Sequence, residues 1–305
     1  MTDSANAAEI SRITKTFGTT AAVDGLSLTV PAGSVYGFIG PNGSGKTTTM
    51  RMITGIFYPD SGDIRVFGRP VSGARSDSVA YLPEERGLFR KMEVQALLEF
   101  HGELRSGRSV TAEVQAWLER LGLGHCAKQK VETLSKGMSQ KVQFIATVVP
   151  EPKLLILDEP FTGLDPVSAD QIREAVFDLR RRGATVILST HDMTIAETMC
   201  DYICMIFRGK KVLDGTLAEI QQQYGNDTIR VAVDGGAIPP LPGVEMVRDL
   251  GQIQELRMSR GCDPQEVLRA LVAHGRVNSF SVMKPSLHDI FIRIAGPAAE
   301  EVKVA

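Results

Sequence analysis

Residues 34–50 read SVYGFIGPNGSGKTTTM, an apolar strand pattern that runs into glycines and then into a helix pattern. Within them GPNGSGKT, residues 40–47, fits G-x-x-x-x-G-K-[ST], the pattern of a phosphate-binding loop. Glycines let backbone N–H groups converge on a phosphate, and the N-terminus of the following helix favours its negative charge. Lys46 is expected to contact the β- and γ-phosphates of a nucleotide, and the Thr47 hydroxyl to bind Mg²⁺. The candidate phosphate-binding residues are Gly40, Pro41, Asn42, Gly43, Ser44, Gly45, Lys46, Thr47 and Thr48.

Two further strand patterns end in polar residues whose chemistry suits the same ligand. LLILDEP, residues 154–160, puts Asp158 at the tip of a buried strand, where a carboxylate can hold Mg²⁺. The next residue, Glu159, is placed to orient or deprotonate an attacking water. His191 follows the strand pattern ATVILST and is expected to contact the γ-phosphate or that water. In open α/β sheets ligands bind beyond the carboxyl ends of the strands, so Lys46, Glu159 and His191 are the candidate catalytic residues.

Composition narrows the class of protein. The chain has 305 residues, of which 43% are hydrophobic and 23% charged, as in an ordinary globular protein. A formal net charge of -2 provides no basic field for nucleic acid. The N-terminal MTDSANAAEI lacks the basic and apolar segments of a signal peptide, and there is no run of about 20 apolar residues. We therefore expect a cytoplasmic protein that can still dock on a membrane protein.

Strand and helix patterns alternate along most of the chain, which predicts a mostly parallel sheet and the α/β class. The strand patterns are ISRITKTF, LSLTV, SVYGFIG, DIRVFG, SVAYLP, LLILD, ATVILST and YICMIF, and helix patterns cover residues 94–124, LSKGMSQKVQFIATVV and SADQIREAVFDLRRRG. Further on, the pattern changes to the strands TIRVAVDG, VEMVRDL, IQELRMS and SFSVM and the helix CDPQEVLRALVAHG. We predict two domains, residues 1–220 and 226–305, the second a small α+β unit with a frayed tail.

LSKGMSQ, residues 134–140, resembles the signature segment L-S-G-G-Q of the ATP-binding-cassette (ABC) ATPases. Phe17, GPNGSGKTT, YLPEERGLF, LLILDEP, GLDP and His191 also match motifs of that family, in the family's order. The resemblance covers residues 8 to about 218 and implies a P-loop NTPase core with an antiparallel β subdomain and a helical subdomain. The C-terminal unit, which closes with KPSLHDIFIRI, resembles an accessory domain found on ABC subunits of bacterial exporters.

The resemblance implies roles for individual residues. Phe17 matches the aromatic residue that stacks on adenine; the other interpretation is a core phenylalanine near a strand end. Ser135 and Gly137 match signature residues that contact the γ-phosphate of ATP held by a second protomer. Asp165, in GLDP, matches a loop that crosses the interface between two protomers. The resemblance thus implies a homodimer of cassettes that closes on ATP and opens after hydrolysis.

The signature segment departs from the family pattern at two positions. Lys136 stands where glycine is usual, and Met138 stands where glutamine is usual. Lys136 either adds positive charge near the partner's nucleotide or points outward. Because Ser135 and Gly137 are retained, we keep the phosphate-contacting role for this segment.

A third departure lies in YLPEERG, residues 81–87, where Glu84 stands in place of the usual glutamine of the Q-loop. A carboxylate oxygen is a ligand that hard cations favour, so we predict that Glu84 contacts Mg²⁺ together with Thr47 and Asp158. Glu85 and Arg86 are expected to face a partner or solvent.

The resemblance implies an ATP-binding and ATP-hydrolysing subunit of an ABC transporter, of the export type, that uses ATP and Mg²⁺. Its partner would be an integral membrane permease on a separate chain, so the subunit would lie peripherally on the cytoplasmic face of the membrane. A groove beside the Q-loop would receive a short cytoplasmic helix of that permease. The alternative is a soluble ABC ATPase acting on nucleic acid or ribosomes, which the short interval from Lys46 to Ser135 and the single cassette disfavour. A P-loop kinase or GTPase would leave the signature segment unexplained.

Overall fold

The computed structural model describes residues 5–71, 77–85, 87–225, 228–234, 238–259 and 261–296. Two predictions, the outward orientation of Arg86 and the frayed tail beyond residue 296, lie outside the described residues. The chain divides into two compact units, residues 1–215 and 216–305. This division precedes the predicted boundary between residues 220 and 226, because a short helix that the pattern analysis missed opens the second unit.

The described part of the first unit contains two sheets. Its strands are β1 Asn6–Phe17, β2 Thr20–Pro31, β3 Val35–Ile39, β4 Ser61–Val66, β5 Arg69–Pro70, β6 Val79–Leu82, β7 Leu154–Asp158, β8 Thr185–Thr190, β9 Tyr202–Phe207 and β10 Lys210–Gly215. A four-stranded antiparallel sheet has the order β2-β1-β4-β5, and a six-stranded sheet has the order β10-β9-β3-β8-β7-β6. All neighbours in the larger sheet are parallel except β10, which runs antiparallel to β9 and was missed from the sequence. The predicted α/β class is confirmed.

Helices cover the larger sheet and build a separate helical region. They are α1 Lys46–Ile53, α2 Val94–Ser106, α3 Thr111–Arg120, α4 Lys136–Val148, α5 Pro166–Arg181 and α6 Met193–Met199. Side chains cap the last three: the carboxylate or hydroxyl oxygens of Ser135, Asp165 and Asp192 accept hydrogen bonds from backbone N–H groups in the first turns. These caps set where the helices begin, and so where the signature segment and GLDP turn into helix.

The run LLILD forms strand β7. All five residues of this strand are buried, which explains why those before the aspartate are apolar. Leu155 and Leu157 enter a hydrophobic cluster that includes α2, α4 and α5, and Leu154 and Ile156 enter a second cluster that includes α1. Burial of each such side chain stabilises the fold by about 1.5–3 kcal/mol. A strand that is apolar on both faces can carry polar side chains only at its end, which is where Asp158 lies.

The second unit is a small α+β domain. Its described elements are α7 Leu217–Tyr224, β11 Thr228–Val233, β12 Val244–Asp249, β13 Gln254–Met258, α8 Pro264–His274, β14 Val277–Met283 and α9 Leu287–Ala295. The sheet is antiparallel with the order β12-β13-β11-β14, and α8 packs Val267 and Leu271 into its core. Helices α7 and α9 were missed, although each opens with a capping box, Thr216 with Glu219 and Ser286 with Asp289.

Among the helices that the structure describes, none combines the length and the apolar character that crossing a bilayer demands.

Gly102 lets α2 pack closely in the helical region. A Cβ at this position would lie 2.5 Å from Val110 Cγ2 and 2.8 Å from Val149 Cγ1, and both valines are fully buried. Gly102→Ala should therefore destabilise the protein by about 1–3 kcal/mol through overpacking, although alanine is the better helix former by about 1 kcal/mol. Urea unfolding followed by circular dichroism measures the loss. Val110→Ala added to Gly102→Ala should recover part of it, and a stabilised Gly102→Ala variant would contradict the close packing.

Candidate functional site

The phosphate-binding loop connects β3 to α1, and its glycines stand where its backbone passes very close to other strands. Gly40 and Gly45 have φ angles of 145° and 108°, a region that residues with side chains rarely adopt. A Cβ on Gly40 would lie 2.1 Å from the Ile206 carbonyl oxygen, and one on Gly45 would lie 2.3 Å from that of Ala22. The loop thus wraps against two neighbouring strands, and glycine is the residue that fits.

The loop presents polar groups that suit a phosphate. Lys46 is only 5% exposed, and its ammonium donates to the carbonyl oxygens of Gly40, at 2.7 Å, and Pro41, at 3.1 Å. The buried hydroxyl of Ser44 has no hydrogen-bond partner among the described residues. An unpaired buried hydroxyl costs free energy unless a ligand satisfies it, and phosphate oxygens are suitable acceptors. A nucleotide phosphate therefore fits this loop, whose Asn42 and Gly43 are exposed and whose Thr47 and Thr48 are half-buried.

The Lys46 side chain also lies within electrostatic range of the predicted metal site. Burial lowers the pKa of Lys46, and the negative charges of Glu159, Asp158 and Glu84 oppose that shift. The structure thus brings together four of the residues that the sequence predicted, from three separate segments of the chain. The charge attraction favours the ammonium form, which is the form that binds phosphate.

Ser189 joins the two acidic residues at the end of β7. Asp158 and Ser189 are neighbours in the register of β7 and β8, and the Ser189 hydroxyl donates to Asp158 Oδ1 at 2.5 Å. The Ser189 hydroxyl oxygen in turn accepts a hydrogen bond from the Glu159 backbone N–H at 3.0 Å. All three residues are buried. Sequence analysis missed Ser189; the signal was a polar residue at the end of an otherwise apolar buried strand.

Tyr81, at the end of β6, holds the other oxygen of Asp158. Its hydroxyl donates to Asp158 Oδ2 at 3.1 Å. Burial raises the pKa of Tyr81 and the nearby Asp158 charge raises it further, so the phenol remains a donor. The strand pattern SVAYLP predicted the strand that contains Tyr81 but not the contact of Tyr81 with Asp158.

Glu159 and His191 form a pair beside these residues. Glu159 has a φ angle of 49°, a conformation that costs a residue with a side chain about 1–3 kcal/mol and that is concentrated at functional sites. His191 Nδ1 lies 2.9 Å from Glu159 Oε1. Glu159 is buried whereas the His191 side chain is 57% exposed. The histidine therefore orients the carboxylate from the solvent side.

Magnesium fits the donor set at these strand ends. Asp158, Glu84 and the Thr47 hydroxyl offer the oxygen ligands that hard cations prefer. Within the described ranges, no group of three or more His, Cys, Asp or Glu side chains is placed to hold a metal ion. Two carboxylates and a hydroxyl suit a cation that substrate phosphates also bind, since Mg²⁺ sites commonly share ligands in this way.

The signature and GLDP residues cap two helices, α4 and α5, and lie beside each other. Ser135 caps α4 by accepting from the Met138 N–H at 3.2 Å, and Asp165 caps α5 by accepting from the Ser168 N–H at 3.0 Å. Hydrogen bonds from Ser168 lower the pKa of Asp165. A Cβ on Gly137 would lie within ordinary contact distance, 3.8 Å, of Leu164, so the two segments are adjacent. No described hydrogen bond or ion pair joins either segment to the phosphate-binding loop of the same chain.

Phe17 lies at the end of β1 and is 47% exposed, which is contrary to a core role. Its ring packs edge-on against Phe57 at 5.6 Å, and Lys15 Nζ lies 5.7 Å from the ring centroid. Asp60 accepts from Lys15 and from the Thr16 N–H, at 2.6 and 2.7 Å, so the strand end is tied down. An exposed, supported aromatic face is available for stacking on a planar ligand.

Comparison with known proteins agrees with this geometry. The family model described as ABC transporter matches residues 23–162, and the one described as ATP-binding protein DrrA1-3-like, C-terminal domain, matches residues 215–295. A solved structure entitled "Structure of ATP binding subunit of ABC transporter" aligns with a TM-score of 0.67 and 28% identity over 72% of this chain and 93% of that chain.

Two relatives match nearly full length. The Nod factor export ATP-binding protein I of Rhizobium sp. (strain N33) is 34% identical over 97% of this chain and 99% of its own. The uncharacterized ABC transporter ATP-binding protein YhaQ of Bacillus subtilis (strain 168) is 39% identical over 95% of this chain and 99% of its own. These matches favour a transporter subunit over the soluble alternative. The chain therefore belongs to the ATP-binding subunits of ABC transporters and is an ATPase that powers transport.

Proposed function

We propose that this ATPase drives export through a separate integral membrane permease, and that Mg²⁺ assists its hydrolysis of ATP. The observation that carries the proposal is the meeting of Lys46, Asp158, Glu159 and His191 around adjacent strand ends, connected through Ser189. The direction of transport is supported by the full-length similarity to a relative named for Nod factor export.

Hydrolysis needs a phosphate clamp and a base. In this proposal Lys46 and the Ser44 hydroxyl bind the phosphates, and the loop N–H groups at the start of α1 add a favourable dipole. Glu159 accepts a proton from the attacking water while the water oxygen bonds to the γ-phosphorus. The bond from that phosphorus to the bridging oxygen breaks, and ADP leaves with the bridging oxygen. His191 keeps the carboxylate aimed through its contact of 2.9 Å.

Thr47, Glu84 and Asp158 would hold Mg²⁺, which supplies positive charge that stabilises the phosphoryl group in the transition state. The two hydroxyl groups that bind Asp158, from Tyr81 and Ser189, fix the orientation of its carboxylate. Such supporting contacts set ligand geometry in metal sites generally.

The site would be completed by a second copy of the chain. Ser135, Gly137 and Asp165 carry features that suit phosphate and interface contacts, yet they make no described polar contact with their own phosphate-binding loop. Ser135 stands at the N-terminal end of α4, where N–H groups favour an anion. ATP bound between two chains would therefore hold them together, and hydrolysis would release them.

An apolar surface on the helical region is a candidate contact for the permease. Phe89 and Phe100 are 54% and 47% exposed, and their ring centroids are 6.3 Å apart. Leu104, one turn along α2, is also exposed, and the His101 ring packs at a tilt against Phe89 and edge-on against Phe100. Phe89 follows the segment that carries Glu84, so a helix of the permease bound here would lie next to the predicted metal ligand. In this arrangement the nucleotide site and the membrane subunit could influence each other.

Lys46→Ala tests the phosphate clamp. Loss of the buried ammonium should weaken ATP binding by about 10- to 100-fold, because hydrogen bonds to charged groups contribute about 1.5–3 kcal/mol. Titration with a fluorescent ATP measures the affinity. Lys153→Ala removes an exposed lysine next to β7 and should bind normally. Near-normal affinity in Lys46→Ala would count against the assignment.

Glu159→Gln tests the base and the shared site together. The variant should bind ATP but hydrolyse it at least about 100-fold more slowly, since it cannot accept the proton. It should accumulate as a dimer with ATP and Mg²⁺, as seen by light scattering after size exclusion. Glu174→Gln, an exposed position on α5, serves as the control. A monomeric Glu159→Gln variant with normal turnover would rule out this mechanism.

Phe100→Ser tests the permease contact. The change should reduce the amount of chain that co-purifies with detergent-solubilised membranes of the producing organism, because it removes apolar area from the contact. Its affinity for ATP should stay unchanged. Val272→Ser removes a comparably exposed apolar side chain from the second unit and controls for general surface effects. Equal co-purification of the two variants and the unaltered chain would exclude the Phe89–Phe100 surface.

A further inference from the structure

An acidic cleft opens beside the nucleotide site. It has a volume of about 330 Å³ and is lined by Glu84, Glu85, Lys136, Gln140, Glu159 and Thr162. Three of these residues are carboxylates, and Lys136 is the only cation among the lining residues that the structure describes. Such an excess of negative charge repels the phosphates of a nucleotide, so the position of the one lysine matters for binding.

The GLDP segment contacts the end of the Lys136 side chain and so restricts its position. A Cβ built on Gly163 would lie 2.7 Å from Lys136 Cε and 3.0 Å from its Nζ, so the end of the lysine chain rests against this glycine. Gly163 has a φ angle of 77° and leaves the space that the lysine occupies. Within the described residues the ammonium makes no hydrogen bond or close ion pair. Lys136 therefore lines a cleft of its own chain, and a role near the nucleotide of a partner chain stays a prediction.

Among the three carboxylates, Glu84 is the one that both lacks a described hydrogen bond or ion pair and acts by its charge on Lys46. Glu159 is paired with His191 at 2.9 Å. Gln143 of α4 donates to the carbonyl oxygen of Glu85 at 3.3 Å, which fixes the backbone at that residue. Glu84 makes no described hydrogen bond or ion pair, yet its charge acts on Lys46 across the site. Glu84 thus acts by its charge on Lys46 of the phosphate-binding loop and lines the same cleft as Lys136 at the start of α4.

We propose that Lys136 is a positioning residue that offsets the charge of Glu84, so that the cleft admits the phosphates of ATP despite the extra carboxylate. The two residues depart together from the pattern of the family, one by adding a negative charge and the other by adding a positive charge. The inference rests on the proposed function, in which Glu84 faces the Mg²⁺ and phosphates. Because both groups line an open cleft and form no ion pair in the described residues, we expect an effect of about threefold on affinity rather than a large one.

A double-mutant cycle tests the proposal. Lys136→Met keeps the stem that covers Gly163 and removes the charge, so it should weaken binding of a fluorescent ATP by about threefold at low salt. The same change made in a Glu84→Gln background should alter affinity by less than about twofold, because the charge that it offsets is gone. Affinity is measured by titration with excess Mg²⁺ at a temperature at which hydrolysis is negligible.

Three controls separate charge from shape. Lys136→Arg should bind like the unaltered chain. Glu85→Gln should leave the effect of Lys136→Met intact, which identifies Glu84 as the relevant carboxylate. The effect of Lys136→Met should also fade between about 20 mM and 0.5 M salt, because the Debye length falls well below 10 Å.

Equal effects of Lys136→Met with and without Glu84 would overturn the proposal, as would an effect that salt leaves unchanged or no effect at all. If the unaltered chain bound no nucleotide, the proposed function itself would fail and the inference with it. If the chain binds nucleotide and the two changes are simply additive, only the inference fails.

Discussion

The hydrogen bond from Ser189 to Asp158 determines much of this active site. It joins the ends of two neighbouring parallel strands, and its acceptor is a carboxylate that is 1% exposed. A buried carboxylate is stable only when its oxygens are satisfied, and here hydroxyl groups from β6 and β8 satisfy one oxygen each. These two hydrogen bonds connect the ends of three strands, β6, β7 and β8. The Ser189 hydroxyl also holds the backbone of Glu159. The proposed metal ligand and the proposed base are therefore both positioned by one buried serine.

Backbone packing places the phosphate-binding loop against this centre. The loop can reach the strand ends because Gly40 and Gly45 leave no Cβ against the carbonyl groups of Ile206 and Ala22. Lys46 then lies close enough to the acidic residues for their charges to oppose the effect of burial on its pKa. Sterics and electrostatics thus act in sequence: the glycines permit the approach, and the opposite charges favour the ionised lysine once it is there.

Two charged residues of the acidic cleft differ from the general motif of the family. The acidic cleft holds a carboxylate where the family pattern has a neutral amide, and a lysine where that pattern has glycine. The lysine rests on a glycine of the neighbouring GLDP segment, so the two segments proposed to face a partner chain are in contact with each other. We therefore expect a substitution in one of these segments to affect the other.

The sequence alone determined the phosphate-binding loop, the acidic strand end and the α/β alternation, because each depends on local spacing. It did not reveal β10, α6, α7 or α9, since short elements carry weak periodic signals, although capping boxes marked two of those helices. Only the tertiary structure decided that Ser189 and Tyr81 hold Asp158, because these residues are 31 and 77 positions away from it and meet through strand order. It likewise decided that Lys136 and Glu84 share a cleft, because charged residues from distant segments come together only through the packing of helices against a sheet.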